Sequence, residues 1–197
     1  MDLVLATRNQ GKVEEMRPML ASVGFNLINQ TDTDIPSAVE DGATFVENAL
    51  IKARSVAKAT GLPSIADDSG LVVKALHGAP GIYSARYAGE DASDADNNQR
   101  LLEALSEQSD RRGFFFCCMV FLRSAEDPTP LIATAQWQGE ILQAPRGDGG
   151  FGYDPLFWLP EHKQSAAQLP KATKNSISHR GQACAKLVEA LNVHANN

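Results

Sequence analysis

Apolar and polar positions change their period several times along the chain, and each change marks an element. The apolar run Leu3-Val4-Leu5-Ala6 ends in the polar turn Arg8-Asn9-Gln10-Gly11-Lys12, and a short apolar run bounded by a turn reads as a buried strand. Val13, Met16, Leu20 and Val23 then recur at spacings of three and four, which predicts a helix ending near Gly24. Residues 25–29 alternate as a second strand, and the polar stretch that follows reads as a loop. Thr44 with Glu47 forms a capping-box pattern. Phe45, Ala49, Ala53, Val56 and Ala57 mark one face of the helix after it, and Gly61 closes it. Residues 63–68 and 70–76 predict two short strands joined by a turn at Ser69-Gly70. Residues 78–90 form a Gly/Pro-rich loop, residues 96–105 a helix, and residues 114–122 and 131–142 two long strands with a hairpin-like connection. A Gly-rich loop over 144–157 precedes a last helix, predicted from about Lys174 to Asn192. Strands and helices alternate at both ends around a strand-rich middle, which predicts an α/β fold with a mixed sheet.

Composition narrows the class. With 197 residues, 43% hydrophobic and 21% charged, the chain suits one domain over 1–197, or two closely fused lobes around one active cleft. A net charge of -6 argues against a nucleic acid polymer as partner, while local lysines leave a small anionic ligand open. No stretch has the pattern of a signal peptide or the length of a membrane span. Three cysteines, two of them adjacent, have neither bridge-like nor metal-ligand spacing. They predict free thiols in a reducing cytoplasm.

Several stretches could carry chemistry. The turn from Thr7 to Lys12 lies where a strand gives way to a helix, whose unpaired first amides and dipole favour an anion. It is not a Walker A loop, since Val13 follows Lys12 where a Ser or Thr should meet magnesium. An ordinary turn with a solvated lysine is the other reading. Asp67 and Asp68 are adjacent acids in an apolar run, suited to a Mg²⁺ ligand and general base, or to an Asp-rich turn capped by its own backbone. Strand alternation sends the pair to opposite faces, so one of them serves the chemistry. Glu40 or Asp41 could be a second metal ligand, or both could help start the next helix, on which Lys52 lies off the apolar face. In the Gly-rich loop Phe151 and Tyr153 could stack on a base and Asp154 could accept from ring N–H groups, or the aromatics could fold into the core. Arg180 falls in the middle of the apolar arc Ile177, Cys184, Leu187, Val188 and Leu191, so its guanidinium needs an internal carboxylate or a ligand.

Taken together, T-x-N-x-x-K, "ADDSG", "GAPGIYSARYAG", "GGFGYDP" and "SHRG", in that order over nearly the whole chain, resemble the non-canonical purine nucleoside triphosphate pyrophosphatases, the inosine/xanthosine triphosphatases. The resemblance implies an elongated central mixed sheet flanked by helices, with two lobes and the active cleft between them. It also implies a homodimer and Mg²⁺-dependent hydrolysis of ITP, dITP or XTP to the monophosphate and pyrophosphate. Carried over by position, Thr7, Arg8, Asn9, Gln10, Gly11 and Lys12 line the triphosphate, with Lys52 assisting. Asp68 is the general base and shares the metal with Glu40, and Ser69 contacts the substrate beside them. Phe151, Gly152, Tyr153 and Asp154 enclose the base, which Lys174, His179 and Arg180 approach. A donor such as His179 or Arg180 suits a 6-keto oxygen and opposes the amino group of adenine. Arg8 departs from the glycine that many family members carry and adds charge and bulk. Two other classes compete. A nucleotide-binding module would bind without turnover. A phosphate-loop kinase, disfavoured by Val13, would release no pyrophosphate.

Overall fold

The computed structural model describes residues 2–21 and 24–195. Seven strands among them form one mixed sheet: β1 (Asp2–Leu5), β2 (Asn26–Asn29), β3 (Ser64–Val73), β4 (Arg112–Leu122), β5 (Leu131–Ile141), β6 (Phe157–Leu159) and β7 (Gln164–Ser165). Their order is β2-β1-β3-β4-β5-β6-β7. β1 runs parallel to β2 and β3, with Leu3 opposite Leu27 and Val4 opposite Ser64. β6 is antiparallel to both β5 and β7. The helices are α1 (Gln10–Leu20), α2 (Phe45–Thr60), α3 (Asp94–Ala104), α4 (Lys171–Ile177) and α5 (His179–Ala195). The chain divides into two compact units, one of Met1–Asp68, Cys117–Ala135 and His179–Asn197, the other of Ser69–Phe116 and Gln136–Ser178. The division falls within β3, β4 and β5.

In the first unit, Leu3, Val4 and Leu5 are wholly buried, as expected of a parallel strand covered on both faces. Leu3, Leu5, Ile65, Cys117 and Met119 pack with Met16 and Leu20 of α1 and with Cys184, Leu187 and Leu191 of α5. Each large apolar side chain buried in this way contributes about 1.5–3 kcal/mol. α1 lies against α5, so both helices bury an apolar stripe on the same core. α2 starts where Thr44 accepts from the Glu47 amide and stops at Gly61, whose φ is 68°. The Ser64 hydroxyl ties β3 to α2 by donating to the Ala53 carbonyl at 2.9 Å.

In the second unit, Leu71, Val73, Phe115, Trp137, Ile141 and Phe157 pack with Leu101 and Leu105 from α3 and the residue after it. The ring of Phe157 lies 4.5 Å from Phe115 and 5.3 Å from Trp137, centroid to centroid. α3 begins two residues before the expected start because Ser93 and Asp96 form a reciprocal capping box.

Three expectations need correction. Residues 64–73 form one continuous strand instead of two strands around a turn. β3 is interior in the sheet, with β1 pairing at Ser64 and Ile65 on one side and β4 on the other, and the strand runs on through Ser69 and Gly70. The predicted last helix is two helices, broken at Ser178, whose backbone is extended (φ -68°, ψ 161°) and whose amide closes α4 on the Lys174 carbonyl at 2.9 Å. α1 begins at Gln10 and ends at Leu20, short of Gly24, and Val23 lies outside the described residues. The loop at 78–90 contains a 3₁₀ turn over Gly81–Arg86.

Candidate active site

The middle of β3 carries the acidic pair, and alternation gives its two members separate surroundings. Asp67 is 1% exposed. Its Oδ2 accepts from Lys12 Nζ at 3.0 Å and from Arg180 Nη2 and Nε at 3.3 and 3.4 Å. The Arg180 Nη1 donates in turn to Glu15 Oε2, closing a buried group of two acids and two bases from β3, α1 and α5. Burial alone would push the Asp67 carboxyl up, but Lys12, Arg180 and Lys52 outweigh it and hold the group well below the usual carboxylate range. Of the two partners that the sequence left open for Arg180, the structure shows internal carboxylates, Asp67 and Glu15. Arg180 is 2% exposed, and His179, at the first position of α5, is 5% exposed.

Asp68 has a different setting. Its Oδ1 accepts from Lys52 Nζ at 2.7 Å, and the same ammonium donates to Glu40 Oε2 at 2.8 Å. Lys52 therefore draws one acid from the loop before α2 to one on β3. Asp41, the neighbour of Glu40, is exposed. Burial raises the Asp68 carboxyl above its ordinary range, against the pull of Lys52 and Lys12. The Lys52 ammonium shifts up because Asp68, Asp67 and Glu40 outweigh the burial that would lower it. The second oxygen of Asp68, Oδ2, is buried and accepts no hydrogen bond among the described residues. A buried carboxylate oxygen without a donor suits a hard cation. Glu40 beside it adds another oxygen, as Mg²⁺ coordination by carboxylates and water requires. The residues present therefore fit a Mg²⁺ site held by Asp68 and Glu40.

The turn ahead of α1 is organised by its own side chains. Asn9 Oδ1 accepts from the Lys12 amide at 3.1 Å, and Thr7 Oγ1 accepts from the Asn9 amide at 3.2 Å. Asn9 is thus the helix cap, which leaves its Nδ2 donor and the amides of Gln10 and Gly11 for an anion. Arg8, Asn9 and Gln10 are exposed, and the side chain of Arg8 reaches into solvent.

The second unit holds the other predicted group. Asp154, 3% exposed, accepts from the Phe151 amide at 2.9 Å and from Lys174 Nζ. That ammonium also lies 4.8 Å from the centroid of the Phe151 ring, a cation–π distance. Gly150 permits this turn. Its φ is 73°, and a Cβ there would stand 2.0 Å from Asp154 Oδ2. Ser69 is half-buried on β3 in this unit.

Tyr153 is set apart from its neighbour Phe151. It is 3% exposed in the apolar core, and its hydroxyl donates to the Ser84 carbonyl at 2.8 Å, so its ring packs in the core, the other reading the sequence left open for it. Three residues escaped the sequence reading. Glu15 was legible only as the partner that Arg180 needed. Asp94 and Asn98 on α3 bond the backbone of Gly152, and nothing in their local pattern marks a loop more than fifty positions away.

The Ham1 family profile matches residues 3–190. The dITP/XTP pyrophosphatase of Shigella flexneri is 55% identical over 191 residues, covering 96% of this chain and 97% of that one. The dITP/XTP pyrophosphatase of Vibrio cholerae serotype O1 is 53% identical over 191 residues, 96% of each chain. Among solved structures, a HAM1 protein from Coxiella burnetii superposes with a TM-score of 0.92 at 48% identity, covering 98% of this chain and 99% of that one. The match spans the strand with its acidic pair, the capped turn and the Gly-rich loop alike, and the chain belongs to the Ham1 family.

Proposed function

We propose that the protein hydrolyses non-canonical purine nucleoside triphosphates, dITP, XTP and ITP, to the monophosphate and pyrophosphate, and so clears deaminated purines from the nucleotide pool. Relatives at 53% and 55% identity over nearly the full length bear the name dITP/XTP pyrophosphatase. The observation that carries the reading in this chain is Asp68: a buried carboxylate lifted above its ordinary range, paired on one oxygen with Lys52 and open on the other. A base of that kind can hold a proton taken from water.

The anionic end of the substrate falls to the first unit. The Asn9 Nδ2, the Thr7 hydroxyl, the Gln10 and Gly11 amides, Lys12 and Arg8 supply donors and positive charge for the phosphates. Lys52 orients Asp68 and adds a third cation. Asp68 accepts the proton of the water that attacks the α-phosphorus, and pyrophosphate leaves. Asp68 and Glu40 would hold Mg²⁺, which when bound would supply charge neutralisation and make that water more acidic. The base falls to Phe151, Gly152, Asp154 and Lys174 of the second unit, where an aromatic face, a carboxylate and an ammonium are already joined. Ser69 and His179 complete the set of substrate contacts. Arg180 contributes by fixing Asp67, and with it Lys12.

No helix among the described residues is long and apolar enough to cross a membrane. Three buried free thiols fit a reducing cytoplasm, and the assembly is proposed as a homodimer, which sedimentation would check.

The direct test is pyrophosphate release from dITP, XTP, ITP, ATP and GTP, with and without Mg²⁺. Metal-dependent release from the first three is expected. Equal rates on ATP and ITP would overturn the base selectivity. Orthophosphate as product would overturn the site of cleavage. Tight binding without turnover would identify a binding module instead.

A further inference from the structure

The loop around Phe151 is held from two sides. On one side Asp154 accepts from the Phe151 amide and pairs with Lys174. On the other, both backbone polar groups of Gly152 are taken by α3. The Gly152 amide donates to Asp94 Oδ2 at 2.6 Å, and the Gly152 carbonyl accepts from Asn98 Nδ2 at 2.8 Å. The same Asn98 nitrogen donates to the Asp94 carbonyl at 2.6 Å, which joins the two holds. Asp94 and Asn98 are four apart on one helical face, so a single turn of α3 presents an acceptor and a donor at the spacing of one peptide. Gly152 has a φ of 61°, and glycine visits several such backbone states at little cost, so an unheld Gly152 would not keep Phe151 in one place.

We infer that Asp94 and Asn98 are positioning residues for base recognition: they clamp the Gly152 peptide and thereby fix the Phe151 ring and its contact with Lys174. The inference rests on the assignment of Phe151, Asp154 and Lys174 to the base. Asp94 is exposed and in the first turn of α3, where a carboxylate also favours the helix dipole. That structural role needs the negative charge. The clamp needs only an acceptor oxygen, which an amide retains. Asp94→Asn therefore separates the two.

The experiment measures kcat and KM for dITP together with the exchange rate of the Gly152 amide proton in parent, Asp94→Ala, Asp94→Asn and Asn98→Ala proteins. Loss of the acceptor in Asp94→Ala should raise KM about tenfold with kcat within about twofold, and speed Gly152 exchange by a similar factor. Asp94→Asn should stay near the parent on both readouts, and Asn98→Ala should move them in the same direction as Asp94→Ala. A dipole role alone would lower the melting temperature of Asp94→Ala and Asp94→Asn alike and leave KM and Gly152 exchange unmoved, which would overturn the inference. If the parent released no pyrophosphate from any purine triphosphate, the assigned function would fall. Gly152 exchange would still decide the clamp, because unchanged exchange in Asp94→Ala would refute it and faster exchange would sustain it.

Discussion

Removing the guanidinium of Arg180 tests whether it is an internal counter-ion. The side chain is 2% exposed and donates to Glu15 and Asp67, which are 6% and 1% exposed. Arg180→Ala removes the cation that these two acids share, while Lys12 still pairs with Asp67. Glu15 then loses its buried ion pair with the guanidinium. Breaking a buried pair in this way costs about 3–5 kcal/mol. For a chain of this size each kcal/mol lowers the melting temperature by about 2–4 °C, so a fall on the order of 10 °C is expected. Glu15→Gln should cost less, because it removes one charge and keeps a polar partner for the guanidinium. The pH dependence follows from Asp67. Its folded carboxyl lies below its unfolded value, so its contribution is present above about pH 4 and is lost as pH falls further. In Arg180→Ala that depression is partly relieved, so the stability gap between parent and variant should narrow below about pH 4. The assay is thermal and urea unfolding followed by circular dichroism, at neutral and acid pH, in chelator. A variant with the parent's melting temperature that loses only its preference for ITP over ATP would refute the counter-ion argument and place the guanidinium at the base.

Asp68→Asn should lower turnover by about 10²–10⁴ without lowering the melting temperature, since burial already disfavours the charge there, whereas Asp67→Asn should destabilise because Lys12 and Arg180 lose their shared acceptor. Parallel melting and pyrophosphate assays check both, and equal melting temperatures for the two variants would refute the distinction. Tyr153→Phe should cost about 1–3 kcal/mol through the unpaired Ser84 carbonyl and leave KM for dITP unchanged, while a large rise in KM would return Tyr153 to the base site. All three cysteines are buried, and burial pushes the thiols of Cys118 and Cys184 up to about 11 and about 12, so a disulfide reagent at neutral pH should label the native protein only after urea is added. Rapid labelling of the folded protein would contradict this.

Local signals in the sequence were readable where one short stretch decides the outcome. Thr44, Glu47 and Gly61 bound α2 through contacts within one turn of each end. The alternation that separates Asp67 from Asp68 is a property of any strand. What stayed hidden depended on distant partners. Asp-Asp-Ser-Gly has the composition of a turn, and its place inside an interior strand of the sheet keeps it extended. The helical period runs on through Ser178, so the break between α4 and α5 could not be seen in it. Phe151 and Tyr153 look equivalent as loop aromatics. The Ser84 carbonyl, far off in sequence, draws one into the core, while the other meets Lys174.

The opposed roles of the acidic pair follow from how unevenly the chain distributes its cations. Asp67 pairs with Lys12 and Arg180 and is also lowered by Lys52, so its carboxyl stays ionised and makes a poor proton acceptor. Asp68 pairs with Lys52, which it shares with Glu40, and feels Lys12 more weakly. Burial is thus only partly offset at Asp68, and its affinity for a proton rises. Two identical side chains one residue apart are pushed in opposite directions, which is how environments separate a structural anion from a base. The helices finish the assignment. α1 carries both Lys12 and Glu15 and packs on α5, which brings Arg180, so the cations at Asp67 are set by the core. Lys52 comes from α2, which the Thr44 cap and the Ser64 bond fix on the sheet. The position of Asp68 beside Lys52 is therefore a consequence of how α2 is started and seated.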